Sequence, residues 1–182
     1  MENIVHTKHI IFEKRDNLPT TEPATEKRKK VVSQSEEWKT VAETHNTQES
    51  QLRLLEETMD PESSDNPQCR VLLTHLKTKQ SGYRSQDVEK GLYDPDQFVT
   101  IEHILNTLID SKLACYYCKK WTTIFYEFVR DPRQWSLERL SNDQGHNIDN
   151  VVIACLECNM RRRTMYHERY VATKQLRVNK LT

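Results

Sequence analysis

Two Cys-x-x-Cys pairs constrain this chain more than any other feature. Cys115-Tyr-Tyr-Cys118 and Cys155-Leu-Glu-Cys158 are separated by residues 119–154. A knuckle of this spacing aims two thiolates at one point, and two knuckles surround a tetrahedral Zn²⁺ with sulfur at about 2.3 Å. Four thiolates fill the coordination sphere and leave no position for water, so the expected zinc is structural. Disulfides would need an oxidising compartment. The opening MENIVHTKHIIFEKRD is charged within and after its short apolar patch and does not read as a secretory signal. No run approaches the roughly 18 apolar residues of a membrane span, and the mean hydropathy is −0.83. The chain therefore reads as soluble and intracellular, cytoplasmic or nuclear. Cys69 stands outside both pairs and reads as an ordinary thiol.

Charge divides the chain. The 27 basic and 27 acidic residues cancel overall, yet residues 112–182 hold 13 of the basic and 7 of the acidic ones. A basic C-terminal part attached to an acidic N-terminal part suggests an end that meets a polyanion. The texture changes too. Residues 1–66 contain no glycine and few large apolar residues. TTEPATEKRKK (20–30) has too little apolar surface to offset the cost of ordering it, so it reads as a solvated, partly disordered linker. Lys27-Arg28-Lys29-Lys30 reads as a solvated basic face, with nuclear import or phosphate contact as the alternative. Ser33 and Glu36 have capping-box spacing ahead of Trp38 and Val41. A second weak helical pattern runs through Leu52, Leu55 and Met59.

Residues 67–112 read as a helical lead-in. Val71, Leu72, Leu73 and Leu76 suggest a short helix, punctuated afterwards by Gly82, Gly91 and Pro95. Thr100 then caps a helix whose apolar face is Ile101, Ile104, Leu105, Leu108 and Ile109. Residues 113–182 carry the motif. Gln134–Leu140 alternates like a strand, 141–147 is rich in turn formers, and Val151-Val152-Ile153 is a second strand. A helix is expected to open near Asn159. Strand, loop, strand, knuckle and helix make a small α+β domain with a ββα unit pinned by zinc.

CYYC, QWSLERLSNDQGHNIDNVVIACLECNMRRR and their spacing resemble the HNH endonucleases with a treble-clef-like ββα-metal site, above all those of large DNA viruses and phages. SGYRSQDVEKGLYDPDQFVTIEHI is similar to the region before the first knuckle in viral members, and the resemblance covers about residues 80–182. It implies that Glu138 ligates a catalytic Mg²⁺ or Mn²⁺, that Asn150 orients the active-site loop, and that Asn159 helps hold the ion. Arg139 stands where many members carry the histidine that activates water. A guanidinium stays protonated and cannot be that base, although it suits contact with a phosphate. His146 is the nearest substitute, with an unperturbed pKa near neutrality.

Arg161, Arg162, Arg163, Lys119 and Lys120 are the candidate DNA contacts, each adding salt-dependent, sequence-independent affinity. The expected function is metal-dependent hydrolysis of DNA phosphodiester bonds. A zinc-stabilised nucleic-acid-binding module without cleavage is the alternative, supported by Arg139. A third reading is a structural or interaction protein, such as a virion or transcription accessory, docking a protein partner through residues 1–66. No membrane partner is expected.

Overall fold

A computed structural model describes residues 35–176. The expected linker at 20–30, the basic cluster 27–30 and the capping Ser33 lie outside these residues. Within them the protein is α+β, with six α-helices and one two-stranded sheet. No helix among the described residues is long and apolar enough to cross a membrane.

Helix α1 (Glu36–Thr44) buries Trp38 and Val41. Helix α2 (Gln48–Met59) starts at Thr47, whose side chain accepts from the Ser50 amide while the Ser50 hydroxyl accepts from the Thr47 amide. This reciprocal cap satisfies two orphan donors. Helix α3 (Pro67–Glu89) follows a one-turn 3₁₀ segment, with Asn66 as cap and Pro67 in the first turn, where its missing N–H costs nothing. The short helix expected around Val71–Leu76 is thus 23 residues long. It runs through Gly82, because a single exposed glycine weakens a helix by only about 1 kcal/mol. It stops at Gly91, which adopts φ +67°. There the Leu92 amide bonds the Asp87 carbonyl at 2.8 Å and the Gly91 amide bonds the Val88 carbonyl at 3.1 Å, the pattern of a Schellman ending. Helix α4 (Ile101–Asp110) is capped by Thr100, as its spacing predicts, and buries Ile104, Leu105 and Leu108.

Strands β1 (Trp135–Arg139) and β2 (Val151–Cys155) pair antiparallel, Glu138 opposite Val152 and Arg139 opposite Val151. Helix α5 (Leu156–Arg162) follows β2 directly, with Cys155 at its cap. The helix expected near Asn159 therefore opens three residues earlier and contains the last cysteine. Helix α6 (His167–Gln175) closes the described chain. The free edge of β1 is covered by α3: Lys79 Nζ donates to the Trp135 carbonyl at 2.5 Å, and the Leu137 amide donates to Tyr83 Oη at 3.0 Å. Side chains from a helix thus satisfy an edge that would otherwise be open to pairing.

One apolar cluster joins Trp38, Leu54, Leu55, Leu72 and Leu76 to Ile104, Leu108, Trp135, Leu137 and Ile153. The core therefore crosses both boundaries drawn from sequence, after residue 66 and after residue 112. Helices α1 and α2, expected to belong to a linker-like region, are packed parts of this body. A second, smaller cluster holds Tyr117, Ala154 and Tyr170 around Cys115, Cys155 and Cys158.

Candidate metal centre and adjoining cleft

Cys115 and Cys118 sit on a turn that reverses the chain after α4. The Cys115 amide bonds the Lys120 carbonyl at 2.9 Å and the Lys119 amide bonds the Cys115 carbonyl at 3.0 Å, with Lys119 at φ +59°. The knuckle docks on β2 through the Tyr116 amide, which donates to the Ile153 carbonyl at 2.8 Å. The second pair spans the junction of β2 and α5, where the Cys158 amide donates to Cys155 Sγ at 3.4 Å.

All four sulfurs lie within 4.8 Å of one another, and none is in a disulfide. A regular tetrahedron of sulfurs about 2.3 Å from a metal has edges of about 3.8 Å, so the four are close enough to hold one ion. A hydrogen bond from Cys155 pulls Cys115 down to about 4. Burial and the resulting charge push Cys158 up to about 12, and sharing its proton with Cys115 pushes Cys155 up as well. Four thiols in this space cannot all ionise without a cation among them. Among the described residues this is the only group of three or more histidine, cysteine or acidic side chains so arranged.

Beside this centre, between α3 and the β1–β2–α5 unit, lies a cleft of about 390 Å³. Glu138, Arg139, His146, Asn159 and Arg163 line it together with Lys79, Tyr83 and Lys90. Glu138 is buried. Its Oε1 pairs with Arg162 Nη1 and accepts from Tyr117 Oη at 3.3 Å. Burial raises this carboxyl, and the guanidinium opposes the rise. Asn159 donates through Nδ2 to Ser136 Oγ and the Leu137 carbonyl at 3.2 and 3.3 Å. Glu138 Oε2 and Asn159 Oδ1 make no hydrogen bond among the described residues, and neither is sealed from solvent.

His146 is held from several sides. Its Nδ1 lies 2.8 Å from Asp87 Oδ1, its amide donates to Asp87 Oδ2 at 2.7 Å, and Tyr83 lies against the ring at 4.6 Å. Burial lowers its pKa despite the Asp87 charge. Its Nε2 likewise makes no hydrogen bond among the described residues and is not sealed.

Asn150 closes the connecting loop. Its Oδ1 accepts from the Ser141 amide at 2.8 Å, and its Nδ2 donates to the Ser141 and Gly145 carbonyls, both at 3.0 Å. Arg139 braces the same loop through Nη1, which donates to the Asn142 and Gln144 carbonyls.

The basic candidates separate. Arg162 is corrected from a surface contact to a buried one. It is 3% exposed and also donates to the Arg139 and Leu140 carbonyls, so no anion reaches it. Arg163 lines the cleft at φ +53°. Arg161 pairs with Glu157 across one helical turn at 2.9 Å. Lys119 and Lys120 sit on the first knuckle rather than in the cleft, Lys119 over the Tyr116 ring at 5.2 Å. Cys69 is a buried core thiol.

Sequence reasoning missed Asp87, Tyr83 and Lys79. Their signal was polar side chains at 79, 83, 87 and 90, spacings that put them on one helical face. The glycine at 82 concealed the helix that carries it.

In comparison with known proteins, no family model matches this chain, and no curated protein or solved structure matches it either.

Proposed function

We propose that this protein is a zinc-stabilised HNH-type endonuclease that hydrolyses DNA phosphodiester bonds in the cleft between α3 and the ββα unit. The observation supporting this reading is that Glu138, Asn159 and His146 line one basic cleft, and each keeps one heteroatom (Oε2, Oδ1 and Nε2) without a hydrogen bond among the described residues. The four cysteines would hold Zn²⁺, whose preference for sulfur and tetrahedral geometry they match. Bound there, it would tie the first knuckle to β2 and α5 and, with four thiolates filling its coordination sphere, would serve structure rather than chemistry.

Glu138 Oε2 and Asn159 Oδ1 are hard oxygen donors and fit a divalent ion that keeps most of its waters, as Mg²⁺ does. Arg162 offsets the carboxylate charge, so the ion would be weakly held. When bound, it supplies positive charge to the oxygens of the phosphate undergoing hydrolysis. His146, neutral at pH 7 because burial lowers its pKa, accepts the proton of the attacking water at Nε2. Lys90 and Arg163 draw the DNA backbone toward the cleft. Arg139 serves the site by holding the loop that carries His146, with Asn150 closing its base.

The Glu138–Arg162 pair favours a second reading, a module that binds nucleic acid without cutting it, since an internal guanidinium already occupies one oxygen of the carboxylate. Nicking of supercoiled plasmid by zinc-loaded protein in Mg²⁺ or Mn²⁺ separates the two. Wild type is expected to nick, and His146→Gln and Asn159→Ala to lose on the order of 100-fold or more while retaining zinc. Salt-sensitive DNA binding without nicking would leave the binding module. Absence of both would leave an interaction protein.

A further inference from the structure

Asp87 belongs to none of the motifs that mark the ββα unit, yet it is the most enclosed charged group in the described chain. Its side chain is fully buried on the last turn of α3, and both of its oxygens are spent on His146, 59 positions later. We propose that Asp87 is the positioning residue of the cleft, holding the His146 proton on Nδ1 so that Nε2 stands bare at the cleft as the proton acceptor.

The argument is one of donors and acceptors. An ionised carboxylate only accepts. Oδ2 takes the His146 backbone N–H, so Oδ1 at 2.8 Å from Nδ1 requires a ring N–H there. A neutral imidazole carries one proton, and placing it on Nδ1 leaves the lone pair on Nε2. The surroundings keep the ring from turning away. The Val99 amide donates to the His146 carbonyl at 3.0 Å, Asn150 holds the Gly145 carbonyl, and Tyr83 covers a ring face.

The chain also makes room for the carboxylate. A Cβ at Gly145 would stand 2.5 Å from the Leu92 carbonyl oxygen and 2.9 Å from Asp87 Oδ2. The Leu92 carbonyl and Asp87 both belong to the Schellman ending of α3, so neither can retreat cheaply. Glycine at 145 is therefore part of the same device. A buried carboxylate whose hydrogen bonds all come from one residue is costly to maintain. A core that needed only packing would be served better by an apolar pair.

The charged and titratable groups facing His146 are Asp87, Lys90 and Tyr83 on α3, and Arg139 on β1. Lys79, Glu138 and Arg163 share the cleft. Asp87 is the one that favours the protonated ring, whereas Lys90 and Arg139 oppose it. Removing the Asp87 charge should thus move the acid limb of any cleavage profile to lower pH.

This assignment rests on the nuclease reading for its catalytic meaning, but the proton can be located without any cleavage. Long-range ¹H–¹⁵N spectra of the full, zinc-loaded chain, with His146→Gln to assign the ring, report the tautomer directly. Wild type is expected to show Nδ1–H with a bare Nε2. Asp87→Asn, which can donate as well as accept, is expected to shift the proton toward Nε2. It should also lower kcat for plasmid nicking on the order of 100-fold, leave KM and zinc content unchanged, and move the acid limb downward. Gly145→Ala should disturb the tautomer in the same direction. A purely structural role would lower stability without moving the limb or the proton. Nε2–H in wild type, or an unchanged tautomer in Asp87→Asn, overturns the assignment even if DNA is cut. A wild type that shows Nδ1–H but never nicks DNA overturns the nuclease reading and leaves the proton assignment standing.

Discussion

Two ionisable groups outside the cysteine cluster, Arg162 buried and His75 partly buried, show how the neighbourhood decides what a side chain is. Arg162 reads from sequence as one of three identical surface charges, but it closes an internal network with Glu138 and two strand-end carbonyls. Helix geometry turns adjacent residues by about 100°, so Arg162 faces inward while Arg161 faces out, and Arg163 lies past the end of α5 at φ +53°. His75 is the second case. It packs among Trp38, Tyr126 and Trp135, with ring centroids 4.8, 5.7 and 6.2 Å away, and its Nε2 has no partner. Burial, helped by Lys79, lowers its pKa to about 3. Above the unfolded value near 6.5 both states are neutral and the group does not affect stability. As pH falls below 6.5 the unfolded chain binds a proton that the folded one refuses until about pH 3, so stability is lost through that window. The expected slope from this residue is up to about 1.4 kcal/mol per pH unit. Urea unfolding between pH 6.5 and 5 should show wild type losing stability more steeply than His75→Phe. Parallel curves would show that the ring titrates freely in the folded state.

Helices α1, α2 and α4 are amphipathic, but none dictates where it docks. Helix α2 is seated by one polar side chain. Gln51, 1% exposed, accepts from the Ile124 amide at 2.8 Å and donates to the His45 carbonyl and Thr123 Oγ1. It thereby ties the α1–α2 turn to the segment leaving the first cysteine knuckle. Gln51→Leu keeps the volume but strands the Ile124 N–H and the His45 carbonyl in a dry place, at a cost on the order of 2 kcal/mol. Chemical denaturation should show that loss with zinc retained. A change within a few tenths of a kcal/mol would mean that water replaces the amide. The same logic explains α3, whose polar stripe of Lys79, Tyr83 and Asp87 meets β1 and the loop rather than solvent.

The molecule has two cores of unequal independence. The larger spans α1 to β2 and is filled mainly by leucine, isoleucine and tryptophan; the smaller consists mainly of the clustered cysteines and tyrosines. Metal removal should therefore act unevenly. Chelation at neutral pH is expected to release one zinc per chain and to open the first knuckle, α5 and α6 to amide exchange, while α1–α4 keep their protection. Loss of protection everywhere at once would show that the metal supports the whole body. Because Asn159 lies on α5 and Arg163 just after it, beside the smaller core, the DNA affinity expected of the proposed cleft should fall with the metal even where α1–α4 persist.

What could be read from residues alone follows from local patterning. The cysteine spacing marked the four-cysteine cluster, the apolar face of Ile104, Leu105 and Leu108 marked α4, alternation marked β1, and the apolar run Val151-Val152-Ile153 marked β2. These signals are legible because helix and strand periods and ligand spacing are properties of short segments. Turn residues likewise marked the loop that Asn150 closes. The fate of α1 and α2, the inward turn of Arg162, and the meeting of Asp87 with His146 were decided only in three dimensions. Each depends on a contact between segments dozens of residues apart, where burial, not sequence neighbourhood, determines which charge is paired and which nitrogen keeps its proton.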